Sequence, residues 1–132
     1  MPSRVFTPQE ANAALAELRP LVEAMVEAKR RLDGAQERRD EVAQQIAGNG
    51  GGIPPAELAT LEREVNEAAS ALAGAMGEVQ AMDVLIKDLD TGLVDFPAKR
   101  DGEDILLCWQ LGEDEVAFWH GLEDGYGGRR PI

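Results

Sequence analysis

Cysteine, histidine and tyrosine each occur once in this sequence, and two tryptophans and three phenylalanines complete a scant aromatic set. A single cysteine forms no intramolecular disulfide, so no disulfide framework holds the fold. Few aromatics beside many Ala, Glu and Arg residues point to long helices rather than a thick globule. No apolar run approaches the roughly 18 residues a membrane span requires, and no run of signal-peptide type stands at the N-terminus. Positive charge is the scarcer sign: 13 Lys and Arg against 25 Asp and Glu leave a formal net charge of −12 and a pI of about 4.4. That balance disfavours nucleic acid, whose affinity comes largely from neutralised phosphates, and an anionic membrane surface. The expectation is one cytoplasmic domain of 132 residues in a reducing compartment.

What is abundant is helix. Thr7 is a good N-cap, Pro8 suits the first helical position, and Glu10 completes a capping box. The spacing predicts a helix from Pro8, with Leu15, Leu18, Leu21, Val22, Met25, Val26 and Leu32 on one face. Pro20 removes a helical hydrogen bond, which predicts a kink there. A basic cluster, Lys29 to Arg31 with Arg38 and Arg39, is interleaved with Asp33, Glu37, Asp40 and Glu41 and reads as a solvated, charge-paired face. The run Gly48 to Gly52 predicts the end of this helix and a loop. Pro54 and Pro55 lead into a second helix, whose apolar positions Leu58, Leu61, Val65, Ala68, Leu72, Met76 and Val79 approximate a coiled-coil seam. A short loop between long helices predicts an antiparallel hairpin. Its many small residues bury little area, so the hairpin is expected to pack on the C-terminal sheet and to form a homodimer through the long helices.

From Asp83 the period shortens. Strands are expected at 84–87, at 93–96 ended by Pro97, at 103–111 and at 115–120, with turns at 88–92, 99–102 and 112–114. On the third strand Ile105, Leu107, Trp109 and Leu111 take one face, and Leu106, Cys108 and Gln110 the other. The glycine-rich tail from Gly121 to Ile132 is expected to be irregular. The fold class is α+β: residues 8–82 as a long antiparallel helical hairpin kinked at Pro20, then residues 83–132 as a small antiparallel β-meander with its tail.

Three segments carry a resemblance. They are Lys87 to Pro97, reading Lys-Asp-Leu-Asp-Thr-Gly-Leu-Val-Asp-Phe-Pro; Leu107 to Glu115, reading Leu-Cys-Trp-Gln-Leu-Gly-Glu-Asp-Glu; and Trp119 to Pro131, which opens Trp-His and closes Gly-Gly-Arg-Arg-Pro. With the Phe-Thr-x-x-Glu-Ala-Asn start at Phe6 to Asn12, the whole chain resembles the bacterial and archaeal family called domain of unknown function 2203. The resemblance implies a fold type and carries no activity with it.

The last third also holds the candidate chemistry. If Leu111 pairs with Glu115, Cys108 faces Phe118 and Leu106 faces His120, which sets Cys108 and His120 on one face as diagonal neighbours roughly 7 Å apart at Cα. Thiolate and imidazole together suit a divalent transition metal such as zinc or iron, with a carboxylate from Asp88, Asp90, Asp95, Glu123 or Asp124. Against this stands the role of a buried small hydrophobe for Cys108 and of a hydrogen-bonded structural group for His120. Catalysis by a Cys108 nucleophile with His120 as base needs direct contact, which the strand positions disfavour. Trp109 and Trp119 are expected on the helix-facing side, with an aromatic ligand platform as the sharper alternative. In the tail around Tyr126, itself a binding candidate, glycine N–H groups with Arg129 and Arg130 could clamp a carboxylate or phosphate, though pairing of Arg129 or Arg130 with Asp88, Asp90 or Asp95 is the simpler expectation. The leading functional expectation is a non-enzymatic binding or interaction module for an unidentified small ligand. The alternative is a small metal-binding protein or metal-dependent enzyme built on His120, nearby carboxylates and Cys108.

Overall fold

The structure, a computed structural model, describes residues 4–49 and 55–132. The expected capping box forms at the first helix. Thr7 N–H donates to Glu10 Oε1 at 2.9 Å, and Glu10 N–H donates to Thr7 Oγ1 at 3.1 Å. These bonds from Thr7 hold the Glu10 carboxyl below its ordinary range. Helix α1 spans Pro8–Asn49 and passes through Pro20 as one element. It therefore runs past Gly48, where its end was expected; the remainder of the expected loop, from Gly50, lies outside the described residues, as does Pro54. Helix α2 spans Pro55–Gln80. Arg38 pairs with Glu64 towards one end of the hairpin, and Glu17 and Leu21 border the same groove as Glu78 and Met82 at the other. The numbers run in opposite senses, so the helices are antiparallel.

Most of the seam predicted for α2 is buried: Val65, Ala68, Leu72 and Val79, with Ala75 between them. It lies against α1 of the same chain. Three residues of the basic cluster are charge-paired, through Lys29–Asp33, Arg38–Glu64 and Arg39–Asp40. No helix among the described residues is long and apolar enough to cross a membrane.

Five antiparallel strands follow in chain order: β1 Leu85–Asp88, β2 Leu93–Arg100, β3 Glu103–Gln110, β4 Phe118–Gly121 and β5 Arg130–Pro131. The β2–β3 hairpin closes on Asp101 and Gly102, both at positive φ (53° and 81°), the conformation of a tight turn whose twist matches its strands. This turn pairs Arg100 with Glu103 and carries the register back to Asp95 opposite Cys108. Another glycine is needed where the β1–β2 turn meets α1. A Cβ on Gly92, at φ 72°, would lie 2.9 Å from Val22 Cγ1 and 2.9 Å from Leu111 Cβ.

Alternation along β2, β3 and β4 makes two faces. Val94, Phe96, Ala98, Ile105, Leu107 and Trp109 join Phe6, Leu15, Leu18, Val22 and Met25 of the N-terminal segment in one apolar core. Phe6 and Phe96 meet edge-on at 5.1 Å between ring centroids. The opposite face carries Asp95, Leu106, Cys108 and His120, also buried, with the C-terminal segment folded over it.

Several strand limits differ from expectation. Strand β2 continues through Pro97 because the proline sits beyond the reach of β1, which pairs only with residues 93–95. The Pro97 carbonyl accepts the Phe6 N–H at 2.7 Å, so its ring nitrogen faces the same unpaired side and no ladder bond is lost. Strand β1 begins one residue later than expected and β3 ends one residue earlier. Strand β4 begins at Phe118 rather than Glu115, because Asn12 of α1 captures the preceding backbone: Val116 N–H donates to Asn12 Oδ1 at 2.7 Å, and Asn12 Nδ2 donates back to Val116 O at 3.2 Å. Nor is the tail irregular: a 3-10 turn at Tyr126–Gly128 leads into β5, which pairs Phe118 with Pro131 and Trp119 with Arg130.

Candidate metal centre

Asp95, Cys108 and His120 come from three neighbouring strands. The β2–β3 register sets Asp95 directly across from Cys108, and the β3–β4 register pairs Leu106 with His120 and Cys108 with Phe118. The latter two pairs are those expected from the sequence. Position 106 is two residues from Cys108 on the same face, so the imidazole and the thiol are diagonal neighbours. One ligand atom from each of the three side chains lies within 4.8 Å of the others, and all three residues are buried. Asp95 is 1% exposed, Cys108 0% and His120 3%.

The hydrogen bonds of His120 define its tautomer. Nδ1 lies 2.7 Å from the Gly121 carbonyl, which can only accept, so Nδ1 carries a proton. Nε2 then faces Asp95 Oδ1 at 3.2 Å. With one proton on the ring, Nε2 presents a lone pair to a carboxylate oxygen. Two lone pairs at that distance repel unless a proton or a cation lies between them. A histidine whose Nδ1–H is anchored to a backbone carbonyl, with Nε2 turned towards acidic and thiol donors, is the arrangement metal-binding histidines use.

Cys108 is held at the closed end. Burial pushes its thiol up to about 12, and the neighbouring Asp95 carboxylate adds to the rise, while Arg129 opposes it. Arg129 donates from Nη2 to Glu113 Oε1 at 2.8 Å and Oε2 at 2.9 Å, and to the Cys108 carbonyl at 3.5 Å. Its guanidinium also lies over Phe118, 4.1 Å from the ring centroid, and over Tyr126 at 4.6 Å. The expected pairing of Arg129 with Asp88, Asp90 or Asp95 is thus replaced by Glu113. Glu113 is closer in the fold because the β3–β4 loop is pinned to α1, where Arg19 donates to the Glu113 and Asp114 carbonyls at 3.1 and 3.2 Å. Arg130 lies over Trp119 at 5.1 Å.

The open side of the cluster is a cleft of about 200 Å³ reaching Asp95 and His120 and bordered by Lys87, Leu93, Leu106, Leu122, Glu123 and Tyr126. Strand β1 bulges at its rim: Ile86 pairs with Val94 and Asp88 with Leu93, leaving Lys87 as the extra residue.

The other expected site residues lie apart from the cluster. Asp88 accepts from Thr91 Oγ1 at 2.6 Å and Thr91 N at 3.0 Å, and these bonds hold its carboxyl below the usual range. Asp90 pairs with Lys29 at 3.0 Å, tying the turn to α1. Asp124 Oδ2 accepts the Gly121 N–H at 3.0 Å and shapes the tail. Glu123 stands at the cleft rim. Trp109 is wholly buried on the helix-facing side, with Nε1 donating to the Glu113 carbonyl at 3.1 Å, which leaves no ring surface for a ligand. Arg100 lies over the Trp119 ring at 4.7 Å, beside the contact from Arg130. Sequence reasoning passed over Lys87, Glu113, Arg19 and Asn12 as parts of this end of the molecule. Asn12, Lys87 and Glu113 stand inside the motif segments, the one signal that could have marked them; for Arg19 the contacts are tertiary.

A family profile described as "Uncharacterized conserved protein (DUF2203)" matches residues 4–132. The chain belongs to the DUF2203 family. Comparison of this DUF2203 chain with curated proteins and with solved structures returns no match.

Proposed function

We propose that this DUF2203 chain is a binding module for one divalent transition metal ion, zinc by donor type, held by a carboxylate oxygen of Asp95, Sγ of Cys108 and Nε2 of His120. The observation that carries the reading is three buried donors of different chemistry with their ligand atoms within 4.8 Å of one another. Tetrahedral zinc, with bonds of about 2.0–2.3 Å, separates its ligands by about 3.3–3.8 Å. The His120–Asp95 distance of 3.2 Å is already near that range. Closing the set on a metal therefore takes about 1 Å of side-chain movement at most, the difference between 4.8 and 3.8 Å. A thiolate beside an imidazole favours zinc over hard cations such as magnesium or calcium. The ion would also supply the positive charge between Nε2 and the carboxylate, and it would displace the Cys108 proton that burial otherwise retains.

Metal analysis of zinc-reconstituted, dialysed protein carrying no histidine tag tests this reading. The wild type is expected to hold about one zinc per chain, and His120→Ala and Cys108→Ser to hold less than about a tenth. A wild-type chain that retains less than about a tenth of a zinc overturns the proposal, because three buried donors cannot bind so weakly.

A further inference from the structure

Resting on that metal reading, we propose that the ion is not closed off by protein but keeps a coordination position open to the cleft, and that this position takes a small carboxylate with a short apolar tail.

The donor set itself leaves room. Asp95, Cys108 and His120 supply three ligands, and a zinc site with three protein ligands keeps its fourth position for water or a bound molecule. The direction of the opening follows from the lining. The cleft is lined by Asp95 and His120 but not by Cys108, which has no exposed surface and whose backbone carbonyl accepts from Arg129. The cluster is therefore accessible from its oxygen and nitrogen side and blocked from its sulfur side.

The chemistry of the walls selects the ligand. Leu93, Leu106 and Leu122 are apolar, and the rim carries one cation, Lys87, and one anion, Glu123. Lys87 belongs to none of the ion pairs among the described residues, although acidic side chains outnumber basic ones nearly two to one in this chain. The β1 bulge takes Lys87 out of the strand pairing, a device that re-aims a side chain beside a site. A carboxylate that coordinates the metal through one oxygen would offer its charge to this ammonium, while its alkyl tail met the leucines. An alkylammonium ion of the same length has no lone pair for the metal and repels Lys87. Inorganic phosphate carries the charge but has no alkyl group to meet the apolar wall.

Cobalt(II)-loaded protein, with butyrate, acetate and butylammonium as probes, tests the inference through the visible bands of the metal. Butyrate should shift those bands saturably and more tightly than acetate, and butylammonium should leave them unmoved. Lys87→Met should take up cobalt normally and bind butyrate about tenfold more weakly, the effect of losing one charge-assisted hydrogen bond. Leu122→Glu, a change at an exposed position, should weaken butyrate more than acetate. Cobalt bands with thiolate character that no carboxylate moves mean a closed site with a fourth protein donor such as Glu123. That outcome overturns this inference and leaves the metal reading standing. A protein that takes up no cobalt overturns both, and equal butyrate binding by wild type and Lys87→Met removes the carboxylate preference from the cleft.

Discussion

Cys108 and Trp109 are neighbours on β3, both without exposed surface, and they point to opposite sides of the sheet. Trp109 enters a core of Leu, Val, Met and Phe side chains under α1 and α2. Cys108 meets a carboxylate, an imidazole and a guanidinium under a glycine-rich tail. Both residues are buried, yet the first face gains its stability chiefly from apolar burial at roughly 25 cal/mol per Å². The second face buries polar groups, which cost free energy unless each finds a partner. Placing Asp95 and His120 there makes sense as a device for function rather than for folding. The tail that covers them is short and locally built, in contrast to the long helices covering the other face.

Substitutions on the two faces sharpen this contrast. The largest effect is expected from Trp109→Ala, which should cost about 3–5 kcal/mol by cavity formation, read as a lower midpoint in urea unfolding. On the other face, His120→Ala in metal-free protein should cost about 1–3 kcal/mol, because it leaves Asp95 Oδ1 buried without its hydrogen-bond partner. The two faces then diverge. Adding Asp95→Leu to His120→Leu should return stability to within about 1 kcal/mol of the wild type while abolishing zinc uptake, since apolar groups of similar volume can replace both partners of a buried hydrogen bond with little loss. No second change near Trp109 should rescue Trp109→Ala. A double variant as unstable as His120→Ala alone would mean that the cluster holds the fold together.

How much of this contrast is legible in the sequence depends on the range of the interaction that decides each feature. The helices follow from apolar spacing and from the Thr7–Glu10 capping box, both local, and these were readable. The pairing of Cys108 with Phe118 and of Leu106 with His120 was readable because one assumed closing pair, Leu111 with Glu115, propagates along the strands. Which carboxylate joins them was not. Asp88, Asp90 and Asp95 look equivalent in sequence, and only the Asp101–Gly102 turn, six residues along the strand from each partner, places Asp95 opposite Cys108. Pro97 reads as a strand end because a proline lacks a donor, but the fold offers it a stretch where β1 has already stopped. Glycine density in the tail signals irregular structure. Gly121 and Gly128 instead let the chain pass close to Asp124, where an added Cβ would come within 2.7 and 2.5 Å of its side chain.

Two smaller effects refine the comparison. The Cys108 thiol is held up to about 12 in the folded protein, against an ordinary value near 9.0. A raised value means the folded state favours the protonated thiol, so this contribution is fully present below about pH 9 and is lost as pH rises towards 12. Metal-free protein should accordingly lose thermal stability over that window, and Cys108→Ala should flatten the loss. At the other end of the scale, Thr7→Ala removes a helix cap and should cost about 1 kcal/mol, with zinc stoichiometry unchanged. A drop in zinc binding with that variant would mean that the two faces are coupled through α1.

X-ray absorption at the zinc edge of reconstituted protein tests the central claim most directly. The account predicts a four-coordinate shell with one sulfur at about 2.3 Å and nitrogen or oxygen neighbours at about 2.0–2.2 Å, the sulfur vanishing in Cys108→Ser. A shell of oxygen and nitrogen alone, the same in wild type and in Cys108→Ser, would contradict it.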